Sequence, residues 1–281
     1  MYKAVSPGAI NVSLPILDAI ALAGRCGFEG IEVDPQAALA VGLDGVRDAL
    51  QAAKLQNAGF GLPVAFRARG TAYDESLKQF PRLVEAAAKL GADRCSTYIL
   101  PWHDELSFEE NYDLHVETLT PCARILKDHG MRLGLEFVGP QSLYRGKRHP
   151  FLHTLPDMLM LAEDIGTGNV GLLLDAYHWF TAGHGDQVLR ELTDADIVLV
   201  HINDALSGLR LRELPDTHRC LPGETGVLPL RTFMDALRTI QYTGPVVVEP
   251  FSDTLAGLNS DRERFETTLA SMDDVWGGKQ K

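Results

Sequence analysis

Four short apolar runs in the second half of the chain each stop at a side chain that could bind a metal ion or move a proton. The runs cover residues 133–135, 171–174, 197–200 and 246–248, and the residues that follow them are Glu136, Asp175, His201 and Glu249. Apolar runs without polar alternation are typical of strands that are buried on both faces, as in a parallel sheet. We call these four polar residues the strand-end cluster.

A shared divalent cation is the chemistry that this set of side chains favours. Three bare carboxylates placed side by side would repel one another, and a cation removes that repulsion. A single acid at a strand end is also typical of a helix cap or a surface site, but four successive strands ending in this way are not. Three oxygens and one imidazole suit Mn²⁺, Mg²⁺, Co²⁺ or Zn²⁺, and the lack of a cysteine ligand argues against structural zinc.

Four further side chains are candidates for contact with a substrate, and each also has a simpler interpretation. His178 follows Asp175 by three residues and fits either a substrate contact or a packed histidine. Arg219, in a long loop, fits either a ligand anchor or a surface arginine. Trp102 offers a flat apolar wall for a sugar or a core side chain. Glu32 fits either the cavity lining or a polar layer in a barrel floor.

The sequence alternates between strand and helix patterns eight times. Strands are predicted at residues 3–6, 30–34, 60–66, 92–100, 131–137, 170–174, 197–202 and 245–249. Helices are predicted at residues 14–27, 45–58, 74–90, 108–129, 155–165, 187–192, 230–240 and 261–275. Eight such units predict an α/β fold, a (β/α)8 TIM barrel, with residues 1–281 as one domain.

The competing fold is a doubly wound open sheet. That fold usually carries a Gly-x-Gly-x-x-Gly turn after its first strand, and the residues at 7–10 read Pro-Gly-Ala-Ile. The barrel is therefore favoured. In a barrel the carboxyl ends of the strands converge on one mouth, so the strand-end cluster would meet there.

The composition limits the classes of partner. A formal net charge of −12 argues against nucleic acid, whose phosphates require clustered Lys and Arg. No apolar run approaches twenty residues and the first residues do not resemble a secretory signal, so we expect no membrane association. The four cysteines are scattered and indicate reduced thiols in the cytoplasm. A homodimer is common among barrels of this kind.

Five motifs, in order and at the expected strand ends, resemble those of the xylose isomerase-like TIM-barrel superfamily. They are Leu-Glu-Phe at 135–137, Leu-Asp-Ala-Tyr-His at 174–178, Val-His-Ile-Asn-Asp at 200–204, His-Arg-Cys-Leu-Pro-Gly-Glu at 218–224 and Val-Glu-Pro at 248–250. This superfamily includes sugar phosphate isomerases and epimerases, ketose 3-epimerases, inosose dehydratases and the AP endonuclease 2 group. The motifs are specific for the superfamily and do not select one substrate.

The resemblance implies roles for individual residues. The strand-end cluster would hold one divalent metal ion, and Glu136 and Glu249 would also serve as acid and base on opposite faces of the substrate. His178 and Arg219 would contact substrate oxygens.

The expected reaction begins with loss of a proton next to a carbonyl. A metal chelated by the carbonyl and an adjacent hydroxyl acidifies that C–H and stabilises the resulting enediolate. One glutamate removes the proton and the other returns it, which gives epimerisation or isomerisation, whereas loss of a β-hydroxyl gives dehydration. We therefore expect a sugar isomerase or epimerase that acts on a small keto sugar or polyol-derived ketone, with an inosose-type dehydratase as the alternative.

Two other functions were weighed. An endonuclease IV-type phosphodiesterase would need a three-zinc site, and the chain retains seven of its ligand types: Glu136, Asp175, His178, His201, Asp216, His218 and Glu249. It lacks the histidines expected after the third and fourth strands, which makes this function disfavoured. A non-catalytic barrel is disfavoured because every position of the strand-end cluster is filled.

Overall fold

The structure is a computed structural model that describes residues 1–277. Its strands are β1 (Tyr2–Val5), β2 (Gly30–Ile31), β3 (Gln56–Asn57), β4 (Phe60–Gly61), β5 (Arg94–Ile99), β6 (Trp102–His103), β7 (Arg132–Phe137), β8 (His149–Pro150), β9 (Val170–Asp175), β10 (Ile197–Ile202) and β11 (Pro245–Val248). The main sheet has the order β3-β2-β1-β11-β10-β9-β7-β5-β4, and its strand pairs are parallel.

The sheet closes into a barrel because β3 and β4 are two parts of one segment. β3 pairs with β2, and β4 pairs with β5 on the other side. Gly59 joins the two parts with φ +117°, a left-handed backbone conformation that side chains rarely adopt. A Cβ at this position would also lie 2.8 Å from the Arg94 side chain. The ring therefore has eight strand positions, as the sequence predicts.

Helices alternate with the strands and cover the barrel. They are α1 (Ile16–Cys26), α2 (Pro35–Val41), α3 (Leu43–Ala53), α4 (Thr71–Lys89), α5 (Phe108–Asp128), α6 (Gln141–Tyr144), α7 (Leu155–Ile165), α8 (Ala176–Thr181), α9 (Gln187–Arg190), α10 (Leu230–Thr239), α11 (Asp253–Ala256) and α12 (Asp261–Trp276). Within residues 1–277, no helix combines the length and the apolar composition that crossing a membrane requires.

Local sequence signals explain where the longer helices begin. Ser107 accepts a hydrogen bond from the backbone of Glu110, whose side chain reaches back to Ser107, so a capping box starts α5. Ser260 and Glu263 form the same arrangement at the start of α12. Because α5 follows the exit of β5, its fixed start also fixes the side of the barrel mouth near Trp102.

Several elements differ from the prediction, including the helix predicted at 45–58, which is α3 and ends at Ala53. The third strand was predicted at residues 60–66 but begins at Gln56 and ends at Gly61. Gln56 and Asn57 are polar and gave no apolar signal, whereas Pro63 lacks the N–H that a strand ladder uses. Helix α2 was not predicted; the side chain of Asp34 caps it and Pro35 occupies its first turn.

The interior of the barrel is apolar directly below the mouth. Leu173, Leu199 and Val247 each precede a member of the strand-end cluster by two residues, and they form a small buried cluster with Ala4 and Ala58. Alternate residues of a strand point to the same face. The same strand faces that fill the barrel with apolar side chains therefore present the strand-end cluster at its mouth.

Candidate metal centre and substrate site

The structure brings the strand-end cluster together at the ends of four neighbouring strands, β7, β9, β10 and β11. One ligand atom from each of its four residues lies within 4.8 Å of the others. Asp175 and His201 are partners in the ladder between β9 and β10. Asp175 is fully buried, and Glu136 and His201 expose only 6% and 7% of their surface. The predicted convergence of these side chains is therefore present.

The donor atoms of the strand-end cluster fit a bound cation. Glu136 Oε1 and both ring nitrogens of His201 are buried without a hydrogen-bond partner in the described part of the chain. His201 Nδ1 lies 3.6 Å from Glu136 Oε1 and 3.5 Å from Glu249 Oε2, which is too far for good hydrogen bonds. Buried polar atoms are normally satisfied. A divalent ion held by the cluster would supply the missing partner for Glu136 Oε1 and for one ring nitrogen of His201.

The charges of the cluster shift its protonation equilibria in opposite directions. Burial, followed by the nearby charge of Glu249, raises the pKa of Glu136. Burial alone would raise the pKa of Glu249 too, but His201 and Arg219 outweigh it and hold that pKa below its usual range. Burial alone would lower the pKa of His201, but Glu249 and Glu136 outweigh it and raise that pKa. Without a metal ion, protons on Glu136 and His201 offset the negative charge.

Arg219 lies inside the site rather than on the surface. It is 3% exposed, and its Nη1 donates to Asp175 Oδ2 at 2.8 Å and to Glu249 Oε2 at 3.2 Å. Its Nη2 donates to Asp216 Oδ1 at 2.9 Å. The three carboxylates outweigh the effect of burial and raise the pKa of Arg219. A charged guanidinium is therefore fixed directly against two members of the strand-end cluster.

Two aromatic rings pack against the Arg219 guanidinium. Its central carbon lies 4.6 Å from the centre of the Tyr177 ring and 4.8 Å from that of Phe251. The Tyr177 hydroxyl donates to the Pro215 carbonyl, which ties α8 to the loop that carries Arg219. Phe251 is 41% exposed at the mouth. Stacking and ion pairs together restrict the guanidinium to one orientation.

His178 is buried next to Arg219. Its Nδ1 accepts a hydrogen bond from the Gly139 N–H at 3.2 Å, and its Nε2 lies 3.2 Å from Arg219 Nη2. Burial lowers the pKa of His178 to about 3, so the ring is neutral. A neutral imidazole has one acceptor nitrogen. A guanidinium only donates, so one neutral ring cannot accept from both the Gly139 N–H and Arg219 Nη2, although it lies next to both donors.

The remaining predicted contacts lie at different depths. Glu32 follows β2 and is half-buried; burial raises its pKa, and its charge interacts with His201 and Glu249. This interaction indicates that Glu32 is near the strand-end cluster. Trp102 is half-buried in β6, which pairs with β8, and Lys147 Nζ lies 4.6 Å from the centre of its ring. Trp102 lines a cavity at the side of the mouth.

The sequence analysis did not identify several residues that support the site. Asn203 is fully buried, and its amide donates to Asp175 Oδ1 at 3.1 Å. It lies inside the Val-His-Ile-Asn-Asp motif at 200–204, one of the five motifs that resemble the superfamily. Tyr98 is the ladder partner of Glu136, so both side chains point the same way, and Tyr98 is 47% exposed at the mouth. Gly139 allows α8 to approach closely, since a Cβ there would lie 2.8 Å from Ala182 N.

Comparison with known proteins confirms the fold. Residues 20–275 match the family model described as a xylose isomerase-like TIM barrel. A xylose isomerase domain protein from Alicyclobacillus acidocaldarius superposes with a TM-score of 0.87 at 29% identity over 98% of both chains. The IOLI protein, solved with a bound zinc atom, superposes with a TM-score of 0.82 at 23% identity, also over 98% of both chains.

Two sequence relatives have named activities. The inosose isomerase of Bacillus subtilis (strain 168) is 26% identical over 205 residues, which are 72% of this chain and 69% of that protein. The D-psicose 3-epimerase of Agrobacterium fabrum (strain C58) is 27% identical over 202 residues, which are 70% of this chain and 61% of that protein. These names confirm the expectation of an enzyme of the isomerase or epimerase kind.

Proposed function

Because the chain belongs to the xylose isomerase-like TIM-barrel family, we propose that it is a divalent-metal-dependent isomerase or epimerase of a keto sugar or polyol-derived ketone. The strand-end cluster carries this proposal, since its buried and unpartnered donor atoms lie at the mouth of the barrel. The relatives named inosose isomerase and D-psicose 3-epimerase support the class of substrate.

One divalent metal ion would be held by Glu136, Asp175, His201 and Glu249. When bound, it supplies a Lewis acid that stabilises the negative charge that develops on substrate oxygens. The IOLI protein, which shares this fold, was solved with a bound zinc atom. Mn²⁺, Mg²⁺, Co²⁺ and Zn²⁺ all suit the donor set.

Glu136 and Glu249 would transfer the proton. They project from β7 and β11, which are separated in the barrel by β9 and β10. A substrate between them would therefore present opposite faces to the two carboxylates. One glutamate would take up the substrate proton, and the other, already protonated, would deliver its own proton to the opposite face of the same carbon, which inverts it. Delivery of a proton to the neighbouring carbon would instead isomerise the sugar.

His178, Arg219, Trp102 and Glu32 would position the substrate. His178 and the Arg219 guanidinium lie beside the strand-end cluster and would contact substrate oxygens. Arg219 would share its donors between Asp175 and the substrate, since its charge is already fixed in place. Glu32 would accept from a substrate hydroxyl on the side of β2.

The test is exchange of substrate protons with solvent deuterium, followed by NMR in D₂O with Mn²⁺ or Mg²⁺ added. A panel of ketoses, inososes and short hydroxy-keto acids is screened. We expect deuterium at a carbon next to the carbonyl, abolished by chelator and reduced at least ~100-fold in Glu249→Gln and Glu136→Gln. Glu136→Gln should still bind metal.

A matched control is Glu213→Gln, because Glu213 is exposed and paired only with its neighbour Arg210. Exchange in this variant should equal that of the wild type. Unchanged exchange in Glu136→Gln would contradict the two-glutamate mechanism, and a protein that binds no metal would contradict the proposal itself. Loss of water from a panel member would identify the dehydratase outcome at the same site.

The phosphodiesterase function is not proposed. His218 is exposed and hydrogen-bonded to Thr217, and the metal-ligand group found within residues 1–277 comprises only the strand-end cluster. The relatives support a small-molecule substrate. The lack of a nucleic-acid partner, a homodimer, a cytoplasmic location and a single domain over residues 1–281 stay predictions from the sequence.

A further inference from the structure

A second cavity opens beside the barrel mouth. It has a volume of about 350 Å³ and lies between the segment after β4, the exit of β5 and the first turns of α5. This volume is within the range of small-molecule sites. The residues on which the argument depends are Arg67, Leu100, Trp102, His103, Asn111 and His115.

Tyr98 connects the wall of the cavity to the strand-end cluster, because Arg67 lines the cavity and packs on the Tyr98 ring. Tyr98 and Glu136 are ladder partners, so their side chains project on the same side of the sheet. The Arg67 guanidinium lies 4.2 Å from the centre of the Tyr98 ring and donates to the Tyr98 carbonyl at 2.6 Å. A molecule bound at the cluster could therefore extend past Tyr98 into this cavity.

Buried polar atoms of α5 lie at the inner wall of the cavity without partners. Asn111 is 2% exposed, and its Oδ1 has no hydrogen-bond partner in the described part of the chain. His115 is 4% exposed and its Nδ1 lies 2.7 Å from the Asn111 carbonyl. Burial lowers the pKa of His115 to about 4, so the ring is neutral. Nδ1 therefore donates to that carbonyl, and His115 Nε2 is left as an acceptor.

The other walls offer donors and an aromatic face. His103 Nδ1 accepts from the backbone N–H groups of Glu105 and Leu106, at 3.1 and 2.8 Å, so its proton is on Nε2. Arg67 Nε is buried without an acceptor within residues 1–277. The indole of Trp102 supplies an apolar surface. The cavity thus presents unpartnered donors and unpartnered acceptors around one aromatic ring.

Hydroxyl groups match this mixture, because each both donates and accepts. An anionic group matches it less well, since the exposed carboxylates of Asp104 and Glu105 also line the cavity and offset the charge of Arg67. We propose that this cavity binds a second hydroxyl-rich unit, so that the preferred substrate is a keto sugar linked to a further sugar or polyol. The inference rests on the proposed function, because the reacting unit would occupy the strand-end cluster.

The first test uses methyl β-D-glucoside, which has no carbonyl and cannot react at the cluster. Binding is measured by saturation-transfer NMR and calorimetry on the full chain. We expect binding in the millimolar range that Leu100→Trp weakens by ~10-fold or more, because the larger side chain fills the cavity. Asn111→Leu should weaken it similarly by removing the buried amide.

Two controls make the result specific. Glu136→Gln should keep glucoside binding, since Glu136 is at the cluster. Because Asn111 is buried, the Asn111→Leu variant is used only if its thermal unfolding and metal binding equal those of the wild type. Leu100→Trp does not need this condition, because it adds volume at a half-buried position and removes no polar atom. Loss of glucoside binding in Glu136→Gln but not in Leu100→Trp would place the glucoside at the cluster and overturn the inference.

Further outcomes also decide the question. The inference is overturned if the wild type does not bind the glucoside. It is also overturned if inorganic phosphate competes with the glucoside and phosphate binding is lost in Arg67→Gln. The deuterium-exchange test is independent of these measurements, because a glucoside without a carbonyl reports only on the cavity. Exchange without glucoside binding would therefore refute this inference and leave the proposed function standing. Glucoside binding without exchange would leave the cavity as a site for a hydroxyl-rich unit, but it would contradict the proposed function and with it the linked keto-sugar substrate.

Discussion

Asp204 fastens the loop that carries Arg219. It is fully buried, and its Oδ1 accepts from the backbone N–H groups of Ala205 and Leu228 at 2.8 and 2.9 Å. Its Oδ2 accepts from those of Thr225 and Gly226 at 3.0 and 2.7 Å. These four bonds join the beginning and the end of the loop.

The backbone of Asp204 adds a second connection. Asp204 and Cys220 exchange two backbone hydrogen bonds, each 2.8 Å long, and Cys220 directly follows Arg219. We therefore expect the position of the Arg219 guanidinium to depend on the Asp204 side chain. The Asp204 carboxylate acts through the loop backbone, to which its four hydrogen bonds are made.

The substitution Asp204→Asn tests this dependence. The new amide nitrogen would face two backbone N–H groups, so two hydrogen bonds to a charged acceptor are lost and two donors are left without a partner. Bonds to charged groups contribute about 1.5–3 kcal/mol each. Allowing for local relaxation, we expect the free energy of unfolding to fall by about 3 kcal/mol. Displacement of Arg219 should lower kcat/KM as well.

The assay is urea unfolding of the chelator-treated protein, followed by turnover with metal. The matched control is Asp186→Asn, because Asp186 has an exposed carboxylate that pairs with Arg190 at 2.7 Å. Such surface pairs contribute about 1 kcal/mol or less. An Asp204→Asn variant as stable and as active as this control would refute the reasoning.

Three further predictions use different measurements. The Cβ of a Gly139→Ala variant would lie 2.8 Å from Ala182 N, so the substitution should push α8 away and displace His178. The KM for the substrate should then rise, and an unchanged KM would contradict the role of Gly139. Burial lowers the pKa of His115 from its ordinary value of 6.5 to about 4 in the folded protein. The contribution of the neutral ring to the free energy of unfolding is therefore present above pH 6.5 and is lost as the pH falls through 4. Between pH 7 and 4 the wild type should therefore lose about 3 kcal/mol more of unfolding free energy than His115→Phe, and parallel urea profiles would contradict this. Mn²⁺ at 100 times its dissociation constant should raise the unfolding free energy by about 2.7 kcal/mol, and this increase should be absent from an Asp175→Ala variant.

The fold and the position of the strand-end cluster could be predicted because both depend on local patterns. Apolar runs mark buried parallel strands, and the barrel topology brings their carboxyl ends together wherever they lie in the chain. His201 and Asp175 are ladder partners for this reason alone. The same reasoning placed Arg219 over the mouth, since it lies in the loop after β10.

What the sequence did not show is set by packing between distant segments. Tyr98 looked like an ordinary strand residue, and its place at the mouth follows only from its register with Glu136. Asn111 lies in α5, where a polar side chain is more often on a solvated face, yet it is buried. The apolar pattern of this helix did predict that His115 faces inward. Gly139 carries no motif, and its close contact with α8 exists only in the folded chain.

The arrangement of charges connects the metal centre to the loop that covers it. Arg219 offsets part of the negative charge of Asp175 and Glu249, and protons on Glu136 and His201 offset more of it in the metal-free protein, as their raised pKa values show. A divalent ion would take the place of those protons but not of Arg219, which is held by stacking and by Asp216. Under the proposed function, metal would therefore replace these protons without moving the loop, and the substrate would meet an arginine whose position is already fixed.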